Sequence, residues 1–102
     1  MTETIGSFTR RSDRIYIRVP VEIMVDFEGA KISYPASTVD FSTLGARVQT
    51  TIALVPGENV NFIWRGAKSQ SVPSQVIWSA HGRPEQSREA GLQFLQPLQE
   101  PA

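Results

Sequence analysis

The sequence predicts an all-β fold: six short strands in an antiparallel sheet closed into a barrel, with little or no helix. Three observations carry this. Apolar residues recur at every second position in several segments, the period of a strand with one buried face. Gly- and Pro-containing turns separate those segments at short, regular intervals. No segment sustains a 3.6-residue period long enough for a helix. Closure into a barrel also removes the open edges that an all-β chain of 102 residues could not otherwise cover.

The strands follow in order. Val19, Val21, Ile23, Val25 and Phe27 are apolar and alternate with Pro20, Glu22, Met24, Asp26 and Glu28, so the odd positions are expected to face a core. Glu28-Gly29-Ala30-Lys31 supplies a turn, and Ile32, Tyr34 and Ala36 resume the alternation. Asp40 to Gly45 interrupts it, after which Ala46 and Val48 alternate with Arg47 and Gln49. Pro56-Gly57-Glu58 is the next turn, followed by Val60, Phe62 and Trp64 on one face. Arg65-Gly66-Ala67-Lys68 reads as a hairpin loop, then Val72, Val76, Trp78 and Ala80 carry the fifth strand. His81 to Glu89 is a polar loop, Leu92 and Phe94 mark a short last strand, and the tail from Gln96, with two prolines, is expected to be loosely held.

The chain fits one domain. A hydrophobic content of 40% supports a modest core without metal or disulfide, and the absence of cysteine excludes disulfides, thiol catalysis and thiolate zinc sites. No signal peptide pattern opens the chain and no apolar run approaches the ~20 residues of a membrane span, so a soluble, cytoplasmic domain without membrane insertion is expected. Ten basic residues balance ten acidic ones, which argues against a protein that coats long nucleic acid. The balance is locally uneven: Arg10, Arg11, Arg14 and Arg18 cluster ahead of the first strand, leaving room for a small anionic ligand.

Two segments carry chemistry. In Arg10-Arg11-Ser12-Asp13-Arg14, each guanidinium offers a planar fork of donors suited to phosphate or to guanine O6 and N7, and can stack on a purine. In Asp40-Phe41-Ser42-Thr43-Leu44-Gly45, the carboxylate can accept from guanine N1 and N2, the hydroxyl can serve a base or a phosphate, and glycine lets a ligand approach the backbone. Read alone, each has an ordinary explanation: a solvated basic lead-in, and a strand connection in which Asp and Ser cap a turn and Gly takes positive φ.

Together and in this order they resemble the PilZ domain family, whose hallmark is RxxxR followed a strand-turn-strand later by [D/N]xSxxG. Arg14 leading into Val19-Pro20-Val21 is similar to the family pattern, as are Gly45-Ala46-Arg47-Val48, Gly57, Val76-Ile77-Trp78 and Gly91-Leu92-Gln93-Phe94. The resemblance covers residues 8 to 96. It implies a six-stranded barrel over 10–96, a flexible segment at 1–9 and a tail at 97–102. It also implies a receptor for cyclic di-GMP, whose downstream partner would be a motility, polysaccharide or chemotaxis protein. Arg10 and Arg14 would grip a guanine edge and the phosphates, Arg11 would add field or a contact, and Asp40 and Ser42 would read a guanine with Gly45 shaping the turn. Trp78 shares the alternating face of Val76 and Ala80, which assigns it to the core, whereas the resemblance assigns it to the ligand. Arg47 points either to the ligand or to solvent. Arg14-Ile15-Tyr16-Ile17-Arg18 also spells RxxxR; Pro20-Val21 favours the earlier register, and both stay open here.

Other classes find little support. His81 is a lone loop histidine with no second histidine for a common metal site, no GxxxxGK phosphate loop is present, and Ser42 lacks a histidine–acid pair. The chain is therefore expected to be a binding domain without enzymatic activity, cofactor or metal. The alternatives are a PilZ-type protein-interaction domain that does not bind the nucleotide, and a small barrel for single-stranded nucleic acid, which would need a basic groove with exposed aromatics.

Overall fold

The computed structural model describes residues 14–66, 68–80 and 88–98. It is all strand: β1 (Pro20–Phe27), β2 (Ala30–Phe41), β3 (Gly45–Thr50), β4 (Asn59–Arg65), β5 (Ser69–Ala80) and β6 (Arg88–Phe94). The strands close into an antiparallel barrel in the order β1-β2-β3-β6-β5-β4. Two three-stranded meanders, β1–β3 and β4–β6, thus meet along two seams, β1 against β4 and β3 against β6. Among the described residues no helix is long and apolar enough to span a membrane.

Alternation does what the sequence requires of it through the barrel wall. Val21 and Ile23 from β1, Val48 from β3, Phe62 from β4, Val76 from β5 and Leu92 and Phe94 from β6 fill the interior, with the rings of Phe62 and Phe94 5.0 Å apart. Burying a side chain such as Phe62 or Ile23 contributes about 1.5–3 kcal/mol each. Trp64 packs against this core and meets Phe41 edge to face at 5.1 Å. Leu98, within the expected tail, is buried with the core and donates its N–H to the Thr43 carbonyl.

The expected buried face of β1 runs out at its end. β4 accompanies β1 only through Glu22–Met24, and β3 reaches β2 only from Ala36 onward. The distal β1–β2 ribbon therefore extends past the barrel, and Phe27 at its tip is exposed. Glu28 and Gly29 both have positive φ there, the backbone of a two-residue hairpin turn whose twist suits the flanking strands. β6 begins at Arg88, earlier than the Leu92–Phe94 pair suggests, because its first residues face Gln49 and Thr50 of β3 rather than forming a free loop.

Two bulges break the pairing. An extra residue, Val39, separates the Thr38–Val48 pair from Asp40–Arg47, and Ile77 separates Val76–Leu92 from Trp78–Gly91. Each bulge puts two consecutive residues opposite one and reverses the inward–outward parity beyond it. Both therefore aim side chains at the same outer surface.

Candidate ligand-binding site

The bulges align a row across four neighbouring strands: Asp40 on β2 pairs with Arg47 on β3, Arg47 with Gly91 on β6, and Gly91 with Trp78 on β5. Along this row the outer wall forms a shallow, solvent-open recess of about 420 Å³, whose lining also includes Arg14, Tyr16 and Ile77. Regular alternation would have turned Trp78 to the core, in step with Val76. The Ile77 bulge instead leaves Trp78 40% exposed, so its predicted core role is replaced by a place in the recess. The indole lies over Gly91: a Cβ added there would fall 2.1 Å from Trp78 Nε1, so only glycine leaves room for the ring.

Asp40 is the electrostatic centre. Its side chain is only 7% exposed, yet it touches two guanidinium groups. Oδ1 accepts from Arg14 Nε at 2.9 Å and also from Arg14 Nη2. Oδ2 lies 3.1 Å from Arg47 Nε, off the direction of an aligned hydrogen bond. Both oxygens of this buried carboxylate thus face a guanidinium, a charge-assisted arrangement. The charged residues lining the recess are these three, so it carries one excess positive charge.

The lead-in that delivers Arg14 is fixed by backbone. Ile15 and Phe41 exchange both N–H···O bonds, at 2.7 and 3.0 Å. Further along, the buried Thr38 hydroxyl accepts from the Val19 N–H at 2.9 Å and donates to the Ile17 carbonyl at 2.5 Å. These ties set Arg14 beside Asp40 although 26 positions separate them. Tyr16, on the same segment, lines the recess and is 76% exposed; nothing in its local sequence marks it.

Arg10 and Arg11 lie outside the described residues. Ser42 is buried and accepts from the Leu44 N–H at 3.1 Å, while its own N–H bonds the Gly45 carbonyl at 2.8 Å, so in this arrangement it shapes the β2–β3 connection. Gly45 does not take positive φ. Its requirement is close approach, because an added Cβ would sit 2.4 Å from the Leu92 carbonyl oxygen of β6. Arg18 bonds Gln49 Oε1 at 2.7 Å and Ser37 Oγ at 3.3 Å, and is not part of the recess lining.

Comparison with known proteins adds the following. A family model for the PilZ domain matches residues 8–102. No curated protein matches the chain in sequence. Among solved structures, the Bacillus subtilis inhibitor of motility (MotI/DgrA) is similar with a TM-score of 0.65 at 16% identity, over 87% of this chain and 44% of that one. Escherichia coli YcgR, solved in complex with c-di-GMP, is similar with a TM-score of 0.61 at 16% identity, over 85% of this chain and 38% of that one. This chain thus spans less than half of either, and at such identity the likeness concerns the fold. The family model covers nearly the whole chain, and the barrel agrees with it: this chain belongs to the PilZ domain family.

Proposed function

We propose that this chain is a cyclic di-GMP receptor or adaptor domain of the cytoplasm that binds the nucleotide on the recess and signals to a partner protein through its N-terminal segment. One observation carries the reading: Arg14 of the first motif rests against Asp40 of the second. The excess positive charge suits a ligand with two phosphates, and the indole offers a face for stacking. Arg10 and Arg11 complete the arginine set from the segment before Arg14, Asp40 orients the guanidinium groups, and Ser42 and Gly45 keep the connection in shape. The bonds of Arg18 to Gln49 and Ser37 support the Arg10/Arg14 register over Arg14/Arg18. The neighbours named for motility inhibition and for a c-di-GMP complex support a signalling role, and the chemistry is that of a binding module rather than an enzyme.

Ligand binding would draw Arg14 from Asp40 toward the nucleotide and reorder the lead-in, creating a new surface for the partner. The alternative of a protein-interaction domain that binds no nucleotide is favoured by one feature, that both Asp40 oxygens are already engaged. Calorimetry and thermal melts with cyclic di-GMP separate the two. Ligand at about 100 times Kd adds about 2.7 kcal/mol, a Tm rise of roughly 10 °C or more for a domain of this size. Arg14→Ala is expected to abolish most of that rise and Arg18→Ala to keep it. No heat and no stabilisation at micromolar ligand would sink the receptor reading.

A further inference from the structure

We infer that Arg47, which belongs to neither motif, reads the O6/N7 edge of a guanine stacked on Trp78. This rests on the receptor reading above. Arg47 stands in the row between Asp40 and Gly91. Its Nε lies 3.1 Å from Asp40 Oδ2, and the side chain is 39% exposed, so the guanidinium remains open to a ligand. That Nε is buried without an aligned acceptor, so a small shift that keeps the ion pair with Asp40 breaks no aligned hydrogen bond at this atom. The next position in the row, Gly91, has no side chain, and the Trp78 indole lies across it. An aromatic platform therefore begins about one strand spacing, ~4.8 Å, from the Arg47 backbone.

A planar base lying on that platform turns an edge to the guanidinium. Guanine presents two acceptors there, O6 and N7, and matches the fork bidentately; adenine presents N7 and an N6 donor and does not. A phosphate is the poorer occupant of this spot, because the Asp40 carboxylate lies beside the same guanidinium and would repel it.

The test is a cycle between protein and ligand. Wild type, Arg47→Lys and Arg47→Ala are titrated with cyclic di-GMP and with its 7-deaza analogue, which lacks the N7 acceptor, and each protein is melted without ligand. Lysine keeps the charge beside Asp40 and loses the fork, so its melt should match wild type. Both variants are expected to bind cyclic di-GMP roughly 5- to 150-fold more weakly. The loss that wild type suffers on the 7-deaza ligand should vanish in both. If Arg47→Ala binds as wild type does, or retains the full 7-deaza penalty, the assignment is wrong while the receptor reading stands. If wild type binds no cyclic di-GMP, both fall.

Discussion

Replacing Gly45 by alanine isolates the one place where the [D/N]xSxxG motif is pressed against another strand. An added Cβ would lie 2.4 Å from the Leu92 carbonyl oxygen, whereas carbon–oxygen contacts across sheets settle near 3.3–3.6 Å. About 1 Å of separation must therefore be found. The obstacle is backbone, held by the Gly45–Gln93 and Ala46–Leu92 pairs and by the Phe94 N–H on the Leu44 carbonyl at 2.9 Å. Overpacking costs about 1–3 kcal/mol, and an immovable neighbour puts this case in the upper half. Reduced freedom of the unfolded chain returns about 0.4–1 kcal/mol, leaving a net loss of about 1–2.6 kcal/mol. At roughly 4–8 °C per kcal/mol, Tm should fall by roughly 4–21 °C, read by circular dichroism and checked by urea titration with an unchanged m-value. A variant that melts within about 2 °C of wild type would refute the argument, and would mean that β3 and β6 tolerate separation at the seam.

Further outcomes are expected elsewhere. Gly91→Ala meets a side chain that can swing aside, so stability should change by less than about 1 kcal/mol; Trp78 emission, followed in a Trp64→Phe background, should shift and cyclic di-GMP binding weaken. Thr38→Val keeps the shape but strips the Val19 N–H of its acceptor, costing about 1–3 kcal/mol, and hydrogen exchange should show the lead-in opening more readily. Glu22 is held below the ordinary carboxylate range chiefly by hydrogen bonds from Arg65, opposed by desolvation, with the charge of Arg65 adding a lesser downward pull. A depressed carboxylate stabilises the fold above its unfolded pKa and loses that contribution as pH falls through the folded one. Melts of Glu22→Gln should therefore lose part of the acid-side fall in Tm that wild type shows.

Much of the molecule was legible because strands announce themselves by parity. Val21, Ile23, Val48, Phe62 and Val76 all sit where alternation puts them, and the two motifs could be ordered around the first two strands. Parity fails where the backbone inserts a residue. Counting by twos through β5 carries Trp78 to the core, and only the pairing shift at Ile77 turns it outward; Val39 does the same for Asp40. No side-chain preference distinguishes a bulge at Val or Ile from regular strand. Gly91 and Gly45 were visible as glycines, but their reasons, an indole in one case and a carbonyl in the other, come from strands distant in sequence. Phe27 looked like core because alternation says which face a residue takes and nothing of whether another layer covers it.

The seam between β3 and β6 has a kinetic consequence. The acid and the cations of the recess come from the first meander, and the bare glycine and its indole from the second. Neither half contains the whole recess, since the row exists only once strands remote in sequence have docked, a step governed by loop closure and slow relative to hairpin formation. Recognition is thus an end-of-folding property. A chain cut between β3 and β4 would bring the recess back only if its two pieces found each other, so ligand binding could serve as the readout of that reassembly.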